Sequence, residues 1–281
     1  MPILHAIVLG VVQGLTEFFP ISSSGHLELV PWFFGWDDFA GDEALAKFFD
    51  VALHLGTLVG AVAYFWRDLI RYVTQGLAAL FERREPVSDD GRIAWLLLLS
   101  AIPAAITGVV LEGVIESLDD EIGLIAMMLI VFGLVLYWAD KLPGPRNTDD
   151  YRLKDSLSMG IGQALALQPG VSRSGVTISV GRYLGFDRAS AARLSFLMSI
   201  PVIAGAGLKT FYDVATETGG LPGDFVAPFV TGVVTSAVTG YFAVWATIRL
   251  VSTHSFTPFV VYRVALGAIV LALLALGFNG L

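Results

Sequence analysis

The sequence has no cysteine, which excludes disulfide bonds, thiolate metal sites and a cysteine nucleophile. It is also short of charge: 15% of residues are charged against 55% hydrophobic, and the mean hydropathy is +0.72. Such a balance points to lipid as the solvent for most of the chain. No basic residue precedes the first apolar stretch, and residues 1–16 lead into a glutamate and a proline instead of a small-residue cleavage site, so no removable signal peptide is expected. A basic stripe is missing too. With a net charge of −8, the chain lacks the cationic surface that binding nucleic acid requires.

What the sequence does have is apolar length. Uncharged runs cover 93–111, 122–139, 225–248 and 264–281, each near the ~20 residues needed to span a hydrocarbon core. Basic residues are unevenly spread, which sets orientation. Arg67, Arg71, Arg83, Arg84 and Arg92 cluster in one stretch and Lys141, Arg146, Arg152 and Lys154 in another, and both are assigned to the cytoplasm. Segments 35–43 and 112–121 carry acids and no Lys or Arg, and 209–224 carries only Lys209, so these are assigned outside. Threading the chain through these assignments predicts six crossings near 44–66, 93–113, 121–140, 190–212, 225–249 and 258–280.

Two hydrophobic stretches, 2–34 and 156–185, are left over, each interrupted by proline and a serine cluster. A full crossing by either would break the alternation of basic and acidic loops. Both are therefore expected to be re-entrant helical hairpins, with a kinked spanning helix as the alternative. The two stretches resemble each other without a gap. When GVVQGLTEFFPISSSGHLELV from Gly10 is laid over GIGQALALQPGVSRSGVTISV from Gly160, Gly10, Gln13, Leu15, Ser22, Ser24, Gly25 and Val30 fall on Gly160, Gln163, Leu165, Ser172, Ser174, Gly175 and Val180. Each half then has one hairpin and three crossings, and an odd number of crossings makes the repeat inverted. The expected fold is an all-α polytopic membrane protein of one domain over 1–281, with repeat 1 at about 1–140 and repeat 2 at about 156–281.

Inverted repeats place their sites where broken helices meet near the midplane, and half-helix N-termini there favour anions. Pro20 and Pro169 mark the turns, and the serines that follow are good N-caps. The halves differ at their ionisable positions: Glu17 faces Leu167, Ser23 faces Arg173, and His26 faces Val176. Ionisable groups at membrane depth are costly and mark function by default. Arg173, among Ser172, Ser174 and Thr177, suits a phosphate, although an ion pair with Glu17 explains it structurally. His26 follows Ser23 by three residues and can share a ligand with it. Asp50 and His54 share one helix face and are either linked to a metal or hydrogen-bonded to each other.

Two segments, QGLTEFFPISSSGHL at 13–27 and PGVSRSGVT at 169–177, make the chain resemble the undecaprenyl-diphosphate phosphatase family of the bacitracin-resistance type. The similarity continues through FFDVALHLGT, SFLMSIPV and FTPFVVYR. Many members of that family carry Glu where this chain has Gln13, which leaves Glu17 as the only carboxylate of the motif. The resemblance implies hydrolysis of the terminal phosphate of a polyprenyl diphosphate lipid and a divalent cation, Mg2+ or Ca2+. It also implies a bacterial plasma membrane location with the site opening outward. On this basis Glu17, Ser23, His26 and Arg173 are candidate catalytic residues. Gln13, Ser22, Ser24, Ser172, Ser174 and Thr177 are candidate substrate-binding residues, and Glu17 with Asp50 candidate metal ligands. Ser23, His26 or water is the nucleophile, and Glu17 either holds the cation or acts as base. Membrane lipid is a partner and a homodimer is one arrangement the sequence allows. A polyprenyl-phosphate translocase on the same fold is the rival function.

Overall fold

Helix follows helix along the chain because apolar segments in lipid must satisfy every backbone polar group internally. The computed structural model describes residues 1–81, 88–116, 118, 121–213 and 221–278. Its helices are α1 (Ile3–Phe18), α2 (Ser23–Phe34), α3 (Glu43–Phe81), α4 (Asp89–Val110), α5 (Glu112–Glu116), α6 (Ile122–Asp140), α7 (Leu153–Leu165), α8 (Arg173–Tyr183), α9 (Arg188–Asp213), α10 (Gly223–Val251) and α11 (Thr257–Ala275). No strand occurs among the described residues. Six of these helices, α3, α4, α6, α9, α10 and α11, are long and apolar enough to cross a membrane. They present large exposed apolar side chains such as Trp66, Ile106, Val131 and Phe242 on their outer faces, as expected of a multi-pass membrane protein.

All six expected crossings coincide with these helices, but α3 runs further than the sequence suggests. The crossing expected at 44–66 continues through Arg67 and Arg71 as one helix of 39 residues. At 1.5 Å per residue this is about 58 Å, roughly twice a hydrocarbon core, so one end extends past the bilayer. Ion pairs support the extension. Arg193 reaches Asp68 at 2.6 Å, and Arg71 reaches Asp90 at 2.9 Å. Arg83 and Arg84 of the basic cluster lie outside the described residues, as do parts of segments 112–121 and 209–224 assigned to the outside.

Close helix contact relies on glycine. A methyl group at Gly10 of α1 would sit 2.8 Å from Gly232 O of α10, and one at Gly160 of α7 would sit 2.6 Å from Ser100 O of α4. Small-residue interfaces of this kind let backbones approach where lipid supplies no hydrophobic drive between helices. Hydroxyls then bond across: Ser236 donates to Leu53 O at 2.9 Å and Ser156 to Leu96 O at 2.7 Å. The pairings α1 with α10 and α7 with α4 are among the most extensive in the molecule, together with α3 with α10 and α6 with α11. The shorter pairs α1/α2 and α7/α8 are each broken between their members, and the two breaks meet.

Candidate functional site

The two breaks share a backbone design. Helix α1 ends at Phe18 and α2 begins after the N-cap Ser22, while α7 ends at Leu165 and α8 begins after the N-cap Ser172. Ser22 (φ 78°) and Ser172 (φ 73°) adopt a left-handed backbone that L-residues rarely take. Each is held there by its own cap, with Gly25 N–H donating to Ser22 Oγ at 3.3 Å and Gly175 N–H donating to Ser172 Oγ at 3.1 Å. Strain at matched positions of this sort persists only where surrounding structure fixes it. The fixing groups are direct. Gly170 N–H donates to Ser22 Oγ at 3.1 Å, and Ser174 Oγ donates to Phe19 O at 3.1 Å, so each break bonds to the other.

Glu17, on the last turn of α1, is the focus of the polar groups. Arg173 Nη2 donates to Oε1 at 2.7 Å, Ser23 Oγ donates to Oε2 at 2.7 Å, and Gln13 Nε2 donates to Oε2 at 3.1 Å. His54 of α3 places Nε2 3.4 Å from Oε2, within ion-pairing distance when the ring is protonated. Glu17 is 5% exposed and Arg173 15%, so the pair is held in a largely water-free setting. Leaving one member of such a pair without the other typically costs ~3–5 kcal/mol. Arg173 is steadied from the other side by Nη1 donating to Ser195 O at 2.9 Å.

The sequence candidates thus divide. Glu17, Ser23, Gln13 and Arg173 come together, and the ion pair considered for Arg173 is present. The hydroxyls of Ser172, Ser174 and Thr177 are committed to the protein: Ser172 caps α8, Ser174 bonds Phe19 O, and Thr177 Oγ1 donates to Arg173 O at 2.7 Å and lies 2.7 Å from Ser195 Oγ. Ser22 does the same work in the first break, while Ser24 lies half-buried with its Oγ 3.5 Å from Ser22 Oγ. These serines shape the breaks.

His26 points away from the cluster. Its Nδ1–H donates to Ser22 O at 2.6 Å, and its Nε2 hydrogen-bonds with the Tyr262 hydroxyl at 2.8 Å. Both ring nitrogens are occupied, and Glu17, Ser23 and Arg173 are not among its hydrogen-bond partners. Asp50 lies one turn before His54, whose Nδ1–H donates to the Asp50 carbonyl at 2.8 Å. Glu17, His54 and Asp50 do not combine into a three-ligand metal cluster among the described residues. Gln13 Oε1 is buried and has no hydrogen-bond partner among the described residues.

Sequence reasoning gave no role to Tyr262, Ser195 or Arg263, and it left His54 between two readings. Arg263 carried a usable signal, since an arginine inside an apolar 19-residue helix is a functional candidate by default. Tyr262 and Ser195 carried none, as hydroxyl residues are common in such helices.

The profile of the family described as "Bacitracin resistance protein BacA" matches residues 6–269. A protein of Desulforudis audaxviator is 48% identical over 96% of this chain and 98% of its own length. Proteins of Moorella thermoacetica and Pelotomaculum thermopropionicum are 45% and 44% identical, covering 97% and 98% of this chain and 98% of their own lengths. All three relatives bear the name undecaprenyl-diphosphatase.

Proposed function

We infer that this chain, which belongs to the BacA family of bacitracin resistance proteins, is an undecaprenyl-diphosphatase. It hydrolyses the terminal phosphate of undecaprenyl diphosphate to give undecaprenyl phosphate and inorganic phosphate, recycling the lipid carrier for peptidoglycan synthesis. The observation that carries the chemistry is Glu17 held between Ser23 of one break and Arg173 of the other, at 2.7 Å from each. The names of the relatives favour this reading over a translocase.

Ser23 Oγ is the nucleophile, and Glu17 Oε2, which already accepts its hydrogen bond, takes its proton. Attack on the terminal phosphorus forms the Ser23 phosphoester as the anhydride P–O bond breaks, and undecaprenyl phosphate leaves. Water then cleaves the phosphoester, and Ser23 recovers its proton. Arg173 turns its fork from Glu17 toward the phosphoryl oxygens, where its planar donors match the developing charge. His26, clasped by Ser22 and Tyr262, fixes the first turn of α2 that carries Ser23.

A magnesium or calcium ion would fit beside these groups. Gln13 Oε1, buried and unpartnered among the described residues, and the Glu17 carboxylate one turn on are hard oxygen donors that would hold it. Such an ion would supply neutralisation of the diphosphate charge.

The same reading takes α1/α2 and α7/α8 as re-entrant hairpins in an inverted repeat within one membrane domain. Supporting it, α1 packs on α10 as α7 packs on α4, and the two N-cap serines share backbone geometry. The protein resides in the bacterial plasma membrane with the site opening outward, and the polyprenyl tail lies among the surrounding lipid. The test is phosphate release from long-chain polyprenyl diphosphate by purified protein in detergent, where no sealed compartment exists. Turnover that is lost on adding a chelator supports the reading. Absence of phosphate release by the intact protein under all cation conditions overturns it.

A further inference from the structure

Arg263, in the middle of α11, is fully buried, yet none of its hydrogen-bond or ion-pair partners among the described residues is a carboxylate. Its guanidinium is solvated by backbone carbonyl dipoles. Nη1 donates to Pro20 O at 3.1 Å in the first break, and Nη2 donates to Gly170 O at 2.8 Å and Val171 O at 3.0 Å in the second. Nε donates to Leu129 O at 3.0 Å and Nη2 also reaches Met128 O at 3.3 Å, both on α6. A broken helix leaves carbonyls without intrahelical partners, and such groups are expensive in a bilayer. One side chain answers carbonyls from both breaks at once, in a planar fork that lysine cannot reproduce.

Two glycines make room for it. A methyl group at Gly175, in the serine-rich start of α8, would sit 2.8 Å from Arg263 Nη1, and one at Gly133 of α6 would sit 3.2 Å from Arg263 Cβ. Gly175 also donates the N–H that caps Ser172, so the backbone aiming Arg173 and the guanidinium holding the breaks touch at one residue.

We propose that Arg263 is a positioning residue for the phosphatase reaction: it locks the two helix breaks in register so that Ser23 and Arg173 address one phosphoryl group, without itself touching substrate. The kinetic part rests on the phosphatase reading above. The geometric part does not.

The experiment compares intact Arg263→Lys, Gly175→Ala and unaltered protein by steady-state turnover of polyprenyl diphosphate and by amide hydrogen exchange. In Arg263→Lys, kcat should fall about 10²-fold with KM within about threefold, as expected when reacting groups are misplaced while binding groups remain. Amide exchange should rise at least about tenfold in peptides covering both breaks and stay unchanged in α3 and α10, the pattern of local opening. Gly175→Ala, which pushes on the guanidinium from outside, should show the same two signatures more weakly, and it decides the matter should the lysine variant not fold. Normal turnover in Arg263→Lys, or lost turnover with unchanged exchange at the breaks, overturns the proposal. If the unaltered protein releases no phosphate, the phosphatase reading fails, and the exchange data still determine whether Arg263 holds the breaks.

Discussion

The two breaks are near copies in backbone and opposites in chemistry. Ser22 and Ser172 share a left-handed φ, cap the next helix through Gly25 and Gly175, and lie beside Ser24 and Ser174 at 3.5 and 3.3 Å. The residue right after each cap differs in kind: the first break presents the Ser23 hydroxyl and the second the Arg173 guanidinium. Both meet the same carboxylate, Glu17, which has no counterpart in the second half because Leu167 stands there. The matched backbone brings two turns to one point, and the differing residues make that point chemically asymmetric. A symmetric pair would offer two hydroxyls or two guanidiniums, neither of which can both attack and stabilise a phosphoryl group.

The largest effects should come from erasing that difference. Ser23→Ala removes the oxygen proposed to attack and should lower turnover by roughly 10³-fold or more, as nucleophile deletions do. Arg173→Ser makes the second break imitate the first and should cost a similar factor. It should also destabilise the protein, because the buried Glu17 carboxyl loses its main partner, a loss worth ~3–5 kcal/mol in buried pairs. Phosphate release and thermal unfolding in detergent measure the two consequences separately. Turnover within tenfold of normal in Ser23→Ala would move the nucleophile to water.

Much of this asymmetry was legible before any coordinates. Hydropathy located all six long helices, and the ungapped match of the repeats located both breaks, because twenty apolar residues and a serine N-cap act locally. Helix length was less legible than the crossing. Arg67 and Arg71 mark the end of the expected crossing, and α3 continues as helix beyond it, where Asp68 pairs with Arg193 and Arg71 with Asp90. The commitment of His26 to Tyr262 joins residues 236 apart in sequence, and Arg263 reaches Pro20 across 243. Contacts of that range depend on how helices pack, which periodicity does not encode.

Intermediate effects should separate the two caps. Ser22 Oγ accepts from both Gly25 and Gly170, whereas among the described residues Ser172 Oγ accepts a backbone N–H only from Gly175. Ser22→Ala therefore orphans two buried donors and should cost about 2 kcal/mol, against about 1 kcal/mol for Ser172→Ala. Glycine at either position should cost less than alanine, since it tolerates positive φ without strain. Equal losses for the two alanine variants would mean that the bond between the breaks contributes little.

Smaller still should be the loss at the Tyr262 contact. Tyr262 is 44% exposed, so its hydroxyl contributes one bond near the protein surface, while His26 retains Ser22 O. Tyr262→Phe should reduce kcat only a few-fold, the size of effect expected when one neutral hydrogen bond worth about 1 kcal/mol is lost. A loss approaching that of Ser23→Ala would place His26 in the chemistry itself.

The smallest effect on kcat should follow from restoring a second acid. Gln13 and Gln163 occupy matched positions and each donates through Nε2, Gln13 to the Glu17 carboxylate at 3.1 Å and Gln163 to Ser100 O at 3.5 Å. Each leaves Oε1 buried and without a partner among the described residues. Of these two glutamines Gln13 does so beside a carboxylate, where an added oxygen charge would attract the cation proposed above. Gln13→Glu replaces a hydrogen bond to Glu17 with like-charge repulsion one turn away, and a divalent ion between the two carboxylates relieves it. Half-saturation of turnover by Mg2+ or Ca2+ should therefore shift to roughly tenfold lower cation concentration, with activity in chelator falling further and kcat at saturating cation changing little. Gln163→Glu, which faces Ser100 O and no carboxylate, should leave the cation dependence where it was; a shift of equal size there would detach the cation from the first break.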